Sequence, residues 1–165
     1  MKLLSLDPAS KKTGFAVWET DGTSGTELLD YGLISHQGRL MNRLMRLSDD
    51  IDRLLADNQI EQAVMEKPVR NYNQTYPNSD SYLSACKVVR ELLEDRLGKK
   101  NVFGVNVQTW KGSGKKKDTI RIVNLVWKLE LTEKDDDIAD AIKLGEWFIK
   151  RQRFNPLPPL GEATQ

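Results

Sequence analysis

Four acidic residues of this chain could do chemistry together: Asp7, Glu66, Asp137 and Asp140. Asp7 closes the apolar run Leu3-Leu4-Ser5-Leu6, and Glu66 closes a second run, Ala63-Val64-Met65. Asp137 and Asp140 stand three apart at the head of an apolar-periodic segment, so on a helix they share a face. Each acid alone has an ordinary explanation, as a turn residue after a strand or a favourable charge at a helix N-terminus. Their joint placement is the signal. Carboxylates held a few ångströms apart repel, and one or more must take up a proton unless a cation neutralises them. Mg²⁺ removes that cost, because it prefers hard oxygen ligands. Two such ions roughly 4 Å apart would clamp the attacking and leaving oxygens of a phosphodiester, one making the nucleophile from water and the other stabilising the leaving 3′-oxygen. No side-chain base is required. The lone His36, in the turn before the first predicted helix, is expected to take no part.

A second set of residues could hold an anionic substrate. Lys111, Lys115, Lys116 and Lys117 cluster, as do Lys143, Lys150, Arg151 and Arg153. The net charge is only +1; with four carboxylates committed to metal, the remainder carries +1 plus 4, or +5. A near-neutral total can thus hide a basic surface around an acidic pocket. Taken singly, each basic run reads as a solvated face.

The elements that must position these groups follow from periodicity. Residues 2–6 read as a strand ending at Asp7, Thr13 to Trp18 as a second, and Leu28 to Ile34 as a third, with a turn at Gly22-Thr23-Ser24-Gly25. Leu40, Leu44, Leu47, Ile51 and Leu54 mark an amphipathic helix. Gln62 to Glu66 is a short buried strand, followed by a polar loop over roughly 69–79. A second helix, from about Ser81 to near Gly98, carries Leu83, Cys86, Val89, Leu92, Leu93 and Leu97. Asn101 to Val107 is the fifth strand, and Lys111 to Lys117 a basic loop. Ile120, Val123, Val126 and Trp127 mark a third helix. A last helix, about 137–152, buries Ile138, Ala141, Ile142, Gly145, Phe148 and Ile149. One domain over 1–153 is expected, with a Pro-containing, disordered tail over 154–165.

The order β-β-β-α-β-α-β-α-α implies an α/β protein: a five-stranded mixed sheet flanked by helices, as in the ribonuclease H-like fold. If the first and fourth strands lie parallel and adjacent, Asp7 and Glu66 stand side by side, and the last helix brings Asp137 and Asp140 to them. The single cysteine, Cys86, excludes an internal disulfide framework and reads as a small buried hydrophobe in a reducing, cytoplasmic setting. No stretch approaches the roughly 20 apolar residues of a membrane span.

These segments resemble a known family. Ser5-Leu6-Asp7-Pro8-Ala9-Ser10-Lys11-Lys12-Thr13-Gly14 resembles the first motif of the RuvC-type Holliday junction resolvases. Ala63-Val64-Met65-Glu66 is similar to their second motif, and Asp137-Ile138-Ala139-Asp140-Ala141-Ile142 to their last. The resemblance spans roughly residues 2–150. It implies a homodimeric, structure-specific endodeoxyribonuclease with Asp7, Glu66, Asp137 and Asp140 binding two Mg²⁺ (or Mn²⁺) ions, nicking opposed strands of a four-way DNA junction. It departs from the family at Ala9, where a Gly is usual, in a shortened basic loop, and in lacking an aromatic just after Glu66. These departures suggest a divergent, phage-type member acting in the bacterial cytoplasm on several branched DNAs. Lys111 and Lys117 align with lysines of the family, and Lys115 and Lys116 add charge beside them; the loop would hold phosphates, or be a solvated surface. Tyr72 and Tyr76 could stack on unpaired bases or anchor their loop, and the residues leave both readings open.

Three rivals fall in other classes. An actin-like kinase or ATPase needs two such domains. A non-catalytic junction binder gains nothing from four converging negative charges beside phosphate. A ribonuclease of the same fold is the strongest alternative, since nothing in the sequence reads the 2′-hydroxyl.

Overall fold

Alternation along the strands decides which way each residue faces, and it splits the interior into two layers. The computed structural model describes residues 1–21, 25–68, 79–112 and 115–160. Strand β1 (Lys2–Asp7) pairs antiparallel with β2 (Lys12–Thr20), which pairs antiparallel with β3 (Thr26–Ser35). On its other side β1 runs parallel to β4 (Gln62–Lys67), and β4 parallel to β5 (Val102–Asn106). The sheet order is β3-β2-β1-β4-β5, the expected mixed five-stranded sheet.

Leu4, Leu6, Val17, Ala63, Met65 and Val102 face one layer, covered by α1 (Leu40–Asn58) and α2 (Ser79–Leu97). Helix α1 buries Leu44, Leu47, Ile51 and Leu55, so its stripe ends on Leu55 while Leu54 is only partly buried. Helix α2 buries Ala85, Cys86, Val89 and Leu93. Burial pushes the Cys86 thiol up to about 12, which makes it an inert apolar filler.

Leu3, Ala16, Trp18, Val64, Phe103 and Val105 face the other layer, covered by α4 (Lys116–Trp127) and α5 (Asp136–Phe154). Between β5 and α4 lies α3 (Val107–Trp110), one helical turn that opens on Val107, the residue expected to end the fifth strand. Asn106 leaves the sheet there, and Trp110 turns into the core. Val126, placed on the third helix stripe, is largely exposed; Thr119, Ile120 and Val123 are what α4 buries.

The chain beyond α5 also differs from expectation. Its three prolines predict disorder from Asn155, yet Leu157 packs on the α4/α5 layer and Leu160 on the opposite one. A side chain at Gly104 would run into Leu160, so this glycine is the groove that receives it. Among the described residues no helix is long and apolar enough to cross a membrane.

Candidate active site

Parallel pairing of β1 and β4 in the register Leu6↔Met65 brings Asp7 and Glu66 out together at one end of the sheet. Alternation points both toward α5, since Leu3 and Ser5 on β1 and Val64 on β4 face that side. Helix α5 must then lie close. Ser5 Oγ donates to the Ala141 carbonyl at 2.8 Å and accepts from Trp18 Nε1 at 2.9 Å, a buried bridge from β1 and β2 to the helix. Gly145 makes the approach possible, because a Cβ there would overlap Trp18 Nε1 and Ser5 Oγ. Gly14, paired with Asp7 across β1 and β2, does the same one end further along: a Cβ there would overlap the Asp137 carbonyl. The two glycines set the N-terminal turn of α5, with Asp137 and Asp140, directly over Asp7.

The loop after Asp7 is pinned as firmly. The Thr13 hydroxyl donates to the Ala9 carbonyl at 2.8 Å and accepts from the Ala9 amide at 3.1 Å. Arg43 of α1 donates to the Ser10 carbonyl at 3.2 Å and to its hydroxyl at 3.1 Å. Ala9 has no positive φ, so the family's glycine is not needed for this turn.

The electrostatics follow from this crowding. Burial pushes the Asp7 carboxyl well above its ordinary range, and Glu66, Asp140 and Asp137 add to the shift against the pull of Lys111. Burial and then Asp140 raise Glu66, while Lys111 and hydrogen bonding from Tyr82 oppose them. Burial also raises Asp140 and Asp137. The Lys111 ammonium is hydrogen-bonded to Asp140 Oδ2 and sits 5.5 Å over the Trp110 ring. Tyr82 reaches Glu66 Oε1 at 3.4 Å from α2.

The neighbouring aspartates have other partners. Asp135 closes a capping box with Thr132, and Lys116 binds Asp136 and, against burial, holds it below the usual carboxylate range. Asp137 is the acid of that trio whose charge acts on Asp7. Among the described residues no three acid, histidine or cysteine side chains could hold one metal ion as they stand. Asp140 is paired with Lys111. The donor set, four carboxylates at one sheet end, suits a hard divalent cation in chemistry.

The predicted basic residues separate. Lys111 is turned inward, its side chain 12% exposed, because the buried acids need a cation. Lys116 pairs with Asp136, and Lys117 pairs with Glu133 at 2.9 Å on the open surface. Lys115 is exposed at the N-terminus of α4. Tyr72 and Tyr76 lie outside the described residues. His36 contacts Asp50 of α1 at 2.8 Å and belongs to no part of the acid cluster. Tyr82 and Trp110 were missed in the sequence. The only signals were Tyr82's place one helical turn before buried Cys86, and an indole next to the first lysine of the basic loop.

Comparisons with known proteins give the family. Residues 3–145 match the family described as crossover junction endodeoxyribonuclease RuvC. A curated relative of that name from Wolinella succinogenes is 24% identical over 163 residues, covering 96% of this chain and 99% of its own. Among solved structures, T. thermophilus RuvC in complex with Holliday junction substrate superposes with a TM-score of 0.76 at 16% identity, covering 97% of this chain and 100% of that one. The Fowlpox virus resolvase in complex with substrate Holliday junction DNA gives 0.60 at 19% identity, covering 91% and 97%. The chain belongs to the crossover junction endodeoxyribonuclease RuvC family, nucleases of the Holliday junction resolvase class with a ribonuclease H-like fold.

Proposed function

We propose that this protein resolves four-way DNA junctions, and cuts other branched DNA more slowly, by Mg²⁺-dependent nicking at Asp7, Glu66, Asp137 and Asp140. The observation that supports the reading is the convergence of these acids at one sheet end, where burial raises all four and neighbouring carboxylates add to the shift. Such a cluster destabilises the fold at neutral pH unless it binds something cationic. Two bound ions would acidify a water and stabilise the leaving oxygen of the phosphodiester. The chain's own part is to hold the four carboxylates on rigid elements, two strand ends and one helix. Lys111 balances their charge from inside. Lys115, Lys116 and Lys117 meet the DNA backbone from outside, so replacing them with glutamine weakens junction binding and lowers its salt dependence. The setting that fits is the bacterial cytoplasm.

Paired nicks need two sites, and we assign the second to another copy of this chain. Met41 and Met45 on α1 are 67% and 61% exposed, and Leu83 on α2 is 41% exposed. Met41 and Met45 line a groove with Leu44 and Val88. Asp49, Lys87 and Glu91 border the same groove, so both signs of charge lie on one face, as a two-fold interface requires. Met45→Asp gives a monomer by light scattering that nicks junctions without pairing its cuts.

The deciding experiment is cleavage of labelled four-way junctions beside duplex, flaps and an RNA–DNA hybrid, in Mg²⁺ or EDTA. Paired, symmetric, Mg²⁺-dependent nicks in the junction are expected. Cutting confined to the hybrid, or junction binding without cutting in either Mg²⁺ or Mn²⁺, overturns the reading.

A further inference from the structure

Trp110 is a large side chain placed against the acid cluster, and the carboxylate chemistry alone does not account for it. It is 6% exposed, yet its indole N–H has no hydrogen-bond partner. A buried donor left unpaired is costly, and native folds rarely keep one without a reason. The register explains where this donor lies. Glu66 pairs with Val105 across β4 and β5, and Lys67 with Asn106, so the turn of α3 that follows Asn106 sits beside the Glu66 end of β4. Trp110 closes that turn on the face that Glu66 shares with α5. Its ring face lies under the Lys111 ammonium, which is bound to Asp140. One indole thus has its face on the cluster's cation and an unpaired donor in the turn beside the Glu66 end of β4.

We propose that Trp110 is a positioning residue: its N–H donates to the Glu66 carboxylate and fixes it for metal binding, while its ring holds Lys111 over Asp140. The inference rests on the metal-dependent reading above and adds a residue to it. A hydrogen bond to the oxygen that a metal leaves free restricts how the carboxylate can rotate, the usual service of an outer-shell donor to a ligand. Tyr82, on Oε1 from the opposite layer, restricts it from the other side.

The substitution that isolates the N–H is Trp110→Phe, which keeps an aromatic face for Lys111. Mn²⁺ binding measured by titration calorimetry should weaken about tenfold. Junction affinity in EDTA should stay within about twofold, since the indole is buried away from DNA. Cleavage at saturating junction should fall and then recover as the metal concentration is raised, a rescue that general loss of packing does not show. Wild-type Mn²⁺ affinity in Trp110→Phe, beside lost affinity in Glu66→Gln, overturns this proposal alone. A wild-type protein that binds no Mn²⁺ overturns the metal-dependent reading, and this proposal with it. Should Trp110→Phe fail to fold, the ¹⁵N-labelled wild type decides. The Trp110 indole N–H signal, one of four, should move downfield on Mg²⁺ titration, and an unmoved signal overturns the proposal.

Discussion

The two faces of the sheet are built on opposite principles. The α1/α2 layer is closed by aliphatic residues, Leu4, Leu6, Leu47, Ile51, Val89 and Leu93, whose contacts are strong but have no preferred direction. The α4/α5 layer carries the buried polar groups Ser5, Thr119, Asp140 and Glu146, along with two glycines through which α5 touches the strands. Glu146 is held there by Lys143 at 3.2 Å and Lys150 at 2.6 Å. Apolar packing tolerates small shifts, whereas a hydroxyl bridge and a glycine contact permit one placement. The acids lie on the face that fixes geometry. The other face supplies stability and presents the groove assigned to a second copy.

The largest expected effect tests the acid face directly. Asp7→Asn should lower single-turnover junction cleavage by about a thousandfold or more, while junction binding is preserved or tightened, because a charge that repels phosphate is removed. Unchanged turnover would remove Asp7 from the site. Next comes Gly14→Ala, which forces the Asp137 carbonyl away from β2. A displacement of about 1 Å at a catalytic constellation can cost about a hundredfold in rate, so cleavage should fall steeply while the circular dichroism of the fold is retained.

A matched pair then separates the two faces. Ile51→Ala should destabilise by about 2–5 kcal/mol, as for a fully buried aliphatic residue, and leave cleavage per folded molecule unchanged. Ser5→Ala strips the bridge from Ala141 and Trp18 and should cost about 1–3 kcal/mol, yet reduce cleavage as well. Equal kinetic behaviour of the pair in chemical denaturation and single-turnover assays would dissolve the contrast.

The smallest effect is in pH. Asp7, Glu66 and Asp140 have raised proton affinity in the fold, so above the ordinary carboxylate range the native state binds more protons than the unfolded chain. Their contribution is present in full below that range and is lost as pH rises through the raised values. In EDTA the melting temperature should therefore decline as pH rises from the carboxylate range toward neutrality, and Asp7→Asn should flatten the decline. A wild-type curve with no decline would show that the cluster carries no such strain.

Much of this was legible in the chain because the signals are local. Strand ends at Asp7 and Glu66, the i, i+3 spacing of Asp137 and Asp140, and the stripe of α1 depend on near neighbours in sequence. The segment after α5 shows the limit of local signals: three prolines suggest disorder, and only the Gly104 groove shows that Leu160 has a seat. Lys111 was grouped with its surface neighbours because charge runs do not reveal which member turns inward.

The sequence by itself carried the family's motifs, the order of the five strands and the long helices, and the spacing that nominates the four acids, since alternation and spacing follow from the backbone's own periods. Only the tertiary structure decided that Gly14 and Gly145 seat α5, that Lys111 answers Asp140 and sits over the Trp110 ring, that Asp136 belongs to Lys116, and that Tyr82 reaches Glu66. Those contacts join residues far apart in the chain, and their energy comes from burial and charge that exist only once the layers have packed.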